Sequence, residues 1–398
     1  MLNILQNKTI SIFIKTISTL LILFSTQSCA QKISKVHPQW SKNVSIYEAN
    51  IRQHTPQGTF KAFEEYLPQL KDMGIGIVWL MPIQPIGKEN RKGSLGSDYS
   101  IRYYTAVNPE FGTVDDLKSL VNKAHELGIY VILDWVANHT AWDHHWTKSN
   151  PEFYTKDSDG NYVPPVDDWS DVIDLNYNNK DLRKEMIKAM EYWVKDCDLD
   201  GFRCDVAAMV PMDFWNDAVD SLNKIKSVFM LAEAHEPELH KHAFDMTYGW
   251  KFKDLFNEIA QGKKSVEDLD EYYNWENSNY HKDAYRMMFT TNHDENSWNG
   301  TVQERLGDAV ETFAVLTGVI KGMPLVYSGQ EAGLDKVLSF FDKDSIDWKE
   351  TNLRKIYTKL FQLKKNNKAL WNGSSGGDMI RIKSSNDKNI FSFIREKE

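Results

Sequence analysis

Eight times along this chain a short apolar, β-rich run is followed by a loop and an amphipathic stretch, and no other feature narrows the accessible folds as much. Such alternation is the pattern of βα units. The strand-like runs are Val44 to Ala49, Ile77 to Leu80, Tyr130 to Asp134, Gly201 to Asp205, Val228 to Glu233, Phe244 to Thr247, Arg286 to Thr290 and Pro324 to Tyr327. Amphipathic stretches follow them, among them Thr113 to Leu127, Lys180 to Lys195, Gln303 to Val319 and Thr351 to Lys365. In the second, Leu182, Met186, Met190 and Trp193 recur at helical spacing and mark a face turned to the core. The pattern predicts an α/β fold, a parallel (β/α)8 TIM barrel over residues 40–138 and 179–370.

Four of the strand-like runs end in acids or histidines: LDWVANHT from Leu133, GFRCDVAAM from Gly201, LAEAHEP from Leu231 and FTTNHDENS from Phe289. In a parallel barrel those ends form the C-terminal rim, where the chemistry sits. Taken singly, an Asp at a strand end is also a helix N-cap, and Arg-x-Asp is also a plain ion pair. The set is harder to explain that way. Two neighbouring carboxylates, one ionised and one protonated, can cleave a glycosidic bond. Arg203 lies two residues before Asp205, hence on the same strand face, and should hold it ionised. Glu233 follows Met-Leu-Ala, an apolar setting that would raise its pKa and suit it to proton donation. Asp294, His293 and His139 at the same rim can hydrogen-bond sugar hydroxyls.

The remaining segments add organisation. Residues 139–178 carry Trp, Tyr, Pro, Asp and Gly without a long helical period, which marks a functional loop or small inserted domain over the barrel mouth. At the other end, WNGSSGGD leads into two alternating runs, so residues 374–398 read as the start of a C-terminal β domain, incomplete because two strands alone make no stable sandwich. Residues 1–30 read as an export signal: Lys8 and Lys15 bracket an acid-free stretch, and the apolar core around Leu20 to Phe24 is too short to span a bilayer. Thr26-Gln27-Ser28-Cys29 resembles a lipobox, and Ser28-Cys29-Ala30 suits ordinary signal peptidase. The first is favoured, giving an exported periplasmic or outer-membrane lipoprotein with a lipid on Cys29; secretion is the alternative.

Hydrophobic residues at 41% and charged residues at 26% make an ordinary globular composition. The formal charge is -9, with 56 acids against 47 Lys and Arg, and no long basic run occurs, which argues against nucleic acid as a partner. Cys197 and Cys204 read as buried thiols. The histidines at 139, 144 and 145, or at 235, 240 and 242, could suggest zinc, but neither group has an H-E-x-x-H pattern and a sugar-facing or loop role is favoured. Trp142, Trp146, Trp169 and Trp298 are sugar platforms or loop anchors.

The four segments, together with GIVWLMPIQPI, VIDLNYNN, GMPLVYSGQEAGL and YSIRYYTAVNPEFGT, resemble the conserved regions of the α-amylase family, glycoside hydrolase family 13, over about residues 44–366. The resemblance implies a small domain B after strand three (139–178) and a C-terminal antiparallel domain. It makes Asp205 the nucleophile, Glu233 the general acid and base, and Asp294 the acid that grips the sugar at the cleavage subsite. Arg203, His139 and His293 match surrounding residues, and Tyr99 the stacking aromatic. Asn138 and Asp174, with a carbonyl near Met209, match positions that hold Ca²⁺ in many members. Two departures stand out: Ala208-Met209 replaces a frequent Lys-His, and Ser100 a frequent Asp. The Asp-rich metal loop that some members carry after the first strand is absent from residues 50–60.

The resemblance implies hydrolysis of α-1,4-glucosidic bonds in starch-like glucans or maltooligosaccharides through a covalent glycosyl-enzyme, with the main carboxyls about 5 Å apart. The alternatives are α-glucosidase, neopullulanase or cyclomaltodextrinase, and transglycosylase. A noncatalytic glycan-binding protein on the same barrel is disfavoured because the three acids are intact.

Overall fold

The computed structural model describes residues 35–397. The expected export signal and Cys29 lie outside the described residues. Among the described residues there are twelve strands: β1 Ile46–Ala49, β2 Ile77–Leu80, β3 Tyr130–Trp135, β4 His139–Ala141, β5 Val172–Asp174, β6 Gly201–Cys204, β7 Phe229–Ala232, β8 Met246–Tyr248, β9 Tyr285–Met288, β10 Met323–Tyr327, β11 Asp378–Arg381 and β12 Phe393–Glu396. Eight of them close a barrel in the order β1-β2-β3-β6-β7-β8-β9-β10, and every pairing in it is parallel. All eight expected strands are therefore there, with ends displaced by a residue or two. Asp205 and Glu233 stand just beyond their strands rather than inside them.

Side-chain alternation divides the apolar residues into two sets. Ile46, Ile77, Ile132, Phe229, Leu231, Met246, Met287, Met323 and Leu325 fill the barrel. Tyr47, Val78, Leu80, Val131, Leu133, Phe202, Met230 and Ala232 face outward into the helical layer, where Leu182, Met186, Met190 and Trp193 meet them. At Gly201 the φ is 154° and an added Cβ would sit 1.9 Å from the Phe229 carbonyl oxygen. No larger residue could start β6 this close to β7.

Three of the four expected helices stand to within a residue, as Val114–Glu126, Lys180–Asp196 and Asn352–Asn366, and the fourth is divided. The helix Val114–Glu126 is fixed by a capping box between Thr113 and Asp116. The expected continuous helix from Gln303 to Val319 is instead two, Val302–Leu306 and Val310–Val319, because Gly307 between them takes φ 52°.

After β3 the chain leaves the barrel. β4 and β5 pair antiparallel, with His139 opposite Asp174, and close a small subdomain around Phe153, Tyr154 and Ile173. At the far end β11 and β12 form an antiparallel pair. The barrel supports them: Arg381 binds Asp270 through Nε at 2.7 Å, Phe391 stacks on Tyr273, and Arg395 Nη1 donates to the Val319 carbonyl at 3.0 Å. Cys197 and Cys204 are free and buried. Among the described residues no helix is long and apolar enough to cross a membrane.

Candidate active site

The same alternation that fills the barrel makes its upper layer polar. Two residues beyond Ile46, Ile77, Ile132 and Leu231, on the same face, stand Glu48, Trp79, Asp134 and Glu233; two beyond Gly201 stands Arg203, and two further Asp205. Arg203 is fully buried, and its guanidinium gathers the layer. Nη1 donates to Asp134 Oδ1 at 2.9 Å and to Asp205 Oδ1 at 2.8 Å, and Nε to Tyr248 Oη at 3.1 Å. Nη2 lies 2.9 Å from Glu233 Oε1, an ion-pair contact without hydrogen-bond alignment. Trp79 lies against the cation, 5.0 Å from guanidinium carbon to ring centroid, and donates to Asp134 Oδ2 at 3.1 Å.

One planar cation thus joins the two carboxyls expected to do the chemistry. The turn after Asp205 adds a second restraint. Val206 has φ 36°, a conformation rare for a β-branched residue, and its amide donates to Glu233 Oε2 at 2.7 Å. Backbone strain is stored here while the position of the acid is fixed.

The surroundings of Glu233 are not apolar, and that expectation is corrected. Charged groups crowd it. Burial is still the largest influence and lifts its carboxyl well above the ordinary range; Arg203 opposes the rise, and Asp205 and Asp294 add to it.

His293 begins the helix His293–Trp298, placed by its Asn292 cap. Its Nδ1 donates to Glu48, whose buried carboxylate has a second oxygen with no partner among the described residues. Its Nε2 lies 2.7 Å from Tyr99 Oη and 3.2 Å from Asp294 Oδ2. Tyr99 Oη in turn reaches Asp134 Oδ2 at 3.1 Å. Burial alone would lower the imidazole pKa, but Asp294 and Glu48 outweigh it and raise it to about 9. At neutral pH both ring nitrogens are then protonated.

Above this layer opens a cleft of about 360 Å³ lined by Tyr99, His139, Asp205, Glu233, His293 and Asp294. Arg203 lies beneath it, so the structure brings together all seven residues expected to act on substrate. Trp169, edge-on to His139, and the exposed Trp298 line the cleft too. Trp146 is core instead, and Trp142 anchors a loop through Nε1 to the Ser170 carbonyl at 3.0 Å. Ala208 and Met209 are exposed on the β6 side and do not line the cleft. Ser100, in place of Asp, donates to the Asp171 carbonyl at 3.1 Å.

A larger cavity, about 700 Å³ beside His54, Tyr66, Trp348 and Arg354, contains none of these acids. Convergent chemistry, not volume, identifies the site. The other histidines have local roles: His144 packs against Tyr104 and Trp146, His240 bonds Thr247, and His242 pairs with Asp220. Asn138 and Asp174 lie on adjacent rungs of the β4–β5 ribbon, since the Leu175 amide donates to the Asn138 carbonyl at 3.1 Å.

Glu48 and Asp134 escaped the sequence reading, although each is an acid inside an otherwise apolar strand, in SIYEA and VILDW. Glu48→Gln should remove one of the two carboxylates that keep His293 charged. In ¹⁵N-histidine NMR we expect His293 to titrate near pH 9 in the parent and at lower pH in the variant. Because its folded pKa exceeds the unfolded value of about 6.5, the stability it contributes is complete below that value and lost as pH rises towards 9. An unchanged His293 titration in the variant would contradict this role of Glu48.

Comparison with known proteins agrees with this geometry. The family described as "Alpha amylase, catalytic domain" matches residues 41–169 and 156–375. Alpha-amylase 3 of Dictyoglomus thermophilum is 27% identical over 82% of this chain and 71% of its own length. Alpha-amylase MalA of Haloarcula japonica is 25% identical, with 87% of this chain but only 51% of that protein covered. Among solved structures, the noncanonic maltogenic alpha-amylase AmyB from Thermotoga neapolitana superposes with a TM-score of 0.82 at 36% identity, covering 88% of this chain and 82% of that one. With its closed parallel barrel and three acids on one rim, this chain belongs to the α-amylase family of glycoside hydrolases.

Proposed function

We propose that the protein hydrolyses α-1,4-glucosidic bonds of starch-like glucans or maltooligosaccharides with retention of configuration. The observation that carries the reading is the shared guanidinium: Arg203 contacts both Asp205 and Glu233, while burial keeps Glu233 in the protonated range. Glu233 gives its proton to the glycosidic oxygen as the Asp205 carboxylate attacks the anomeric carbon, and the bond to the leaving sugar breaks. Glu233, now ionised, takes a proton from water, whose oxygen displaces Asp205 from the glycosyl-enzyme. Asp294 and the charged His293 hydrogen-bond hydroxyls of the reacting sugar, and Tyr99 presents its ring to the apolar side. A sugar hydroxyl in place of water gives transfer through the same intermediate.

Asp205→Asn should lower kcat by roughly 10⁴-fold or more, and NMR of the first product from the parent enzyme should show the α-anomer. A β-anomer, or a variant of undiminished rate, would overturn the mechanism.

Calcium at Asn138 and Asp174 belongs to the same proposal. The two residues lie on adjacent rungs, and the Asp174 carboxyl is raised by burial and opposed by Thr155 and His139, with no Lys or Arg acting on it among the described residues. An oxygen-seeking cation suits that deficit, with the amide of Asn138 and a carbonyl near Met209 completing the donors. When bound, the ion would clamp domain B to the barrel. Chelation should then lower Tm by several degrees; an unchanged Tm would remove the ion from the account.

A further inference from the structure

The cleft has a tied side and an open side. On the tied side, Lys92 in the loop after β2 reaches into domain B, with Nζ donating to the Asp168 carbonyl at 2.7 Å and lying 3.3 Å from Asp171 Oδ1. The same loop is fastened to the loop after β10: the Leu95 and Gly96 amides both donate to the Phe341 carbonyl at 3.1 Å, and the Ser94 amide to Asp342 Oδ1 at 2.8 Å. That loop is fastened in turn to the helix after β9, where the Leu338 amide donates to Asn296 Oδ1 at 2.9 Å and Trp298 packs 5.1 Å from Phe340. Barrel order makes these neighbours, so a continuous wall runs from β3 through β2, β1 and β10 to β9. Across the cleft stand β6 and β7. Among the described residues no hydrogen bond or ion pair joins residues 206–212 or 234–236 to domain B or to the loop 338–344, and Met209 and Met212 are exposed there.

The chemistry orients a substrate within this asymmetry. The leaving group must lie beside Glu233 on β7, which protonates it, and the glycone beside Tyr99, His293 and Asp294, towards the wall. In an α-1,4-glucan the glycone is the side of the non-reducing end. A long glycone would have to pass the span from Lys92 to Asp168 and Asp171, whereas a long leaving group would emerge over Ala208 and Met209 without obstruction.

We infer that the protein takes its substrate from the non-reducing end, releases glucose or maltose, and uses Lys92 as the residue that closes the glycone side. This rests on the proposed hydrolysis of α-1,4-glucans. The test compares a chromogenic maltoheptaoside with a free non-reducing end against one blocked there by a 4,6-acetal, with the products of each separated by chromatography and no second enzyme present, alongside an early time course on amylose. The blocked compound should be cut more slowly by on the order of tenfold, the scale of a single steric mismatch in a pocket, and glucose or maltose should dominate from the first points. Equal rates with early mixed oligosaccharides would overturn the inference and leave the hydrolytic reading standing; no cleavage of either compound or of amylose would overturn both. Lys92→Ala should raise the blocked-to-free rate ratio by about tenfold, and Lys92→Arg should restore the parent ratio. The ratio cancels any loss of folded enzyme, so an unchanged ratio in Lys92→Ala would remove Lys92 from this role.

Discussion

Everything at the mouth of this barrel depends on one buried cation. The Arg203 guanidinium, with no exposed surface, sits among Asp134, Asp205, Glu233, the Tyr248 hydroxyl and the face of Trp79. An arginine alone at such depth would be costly to desolvate; here carboxylates on three sides replace its water. The geometry also distributes charge. Glu48, Asp134, Asp205, Glu233 and Asp294 share two cations, Arg203 and His293, so the carboxyls cannot all ionise at little cost. Burial raises Glu48, Asp134 and Glu233 alike, and of these three only Glu233 lines the cleft, where the proposed reaction needs a proton to give.

Much of this was legible in the sequence because a parallel barrel ties position to chemistry. A residue at a strand end reaches the rim, and two steps along a strand returns to the same face, so Arg203 and Asp205 could be placed together from spacing alone. What could not be read was which acids deeper in the strands complete the layer. Glu48 and Asp134 stand in apolar runs far apart in sequence, and only barrel closure brings Glu48 to His293, 245 positions away. The apolar setting inferred for Glu233 failed for the same reason: its neighbours in sequence are apolar, and its neighbours in space come from β6 and from the helix after β9. The break at Gly307 was missed because the amphipathic period continues across a glycine whose positive φ ends the helix.

The loops contribute what the barrel does not. Domain B, the segment after β2 and the segment after β10 are variable in principle, since none carries the eight-strand architecture, yet here they are joined by side-chain to main-chain bonds into one wall. In the proposed function the catalytic acids are thereby separated from the determinants of substrate length. The former follow from strand register; the latter follow from contacts such as Lys92 with Asp168, which no local pattern in the sequence announces.

The most direct test of the charge account is the pH dependence of kcat/KM for the parent enzyme and Glu233→Gln, measured with an α-maltosyl fluoride whose leaving group needs no proton and, for the parent, with an unactivated maltooligosaccharide. The account predicts that the maltooligosaccharide profile falls on the alkaline side only well above the ordinary glutamate pKa of about 4.3, and that when Glu233→Gln turns over the fluoride the alkaline loss left is the one near pH 9, where His293 gives up its proton. A parent profile already falling near pH 5, where an unperturbed glutamate has titrated, or a parent alkaline limb that the variant reproduces at the same pH, would contradict it.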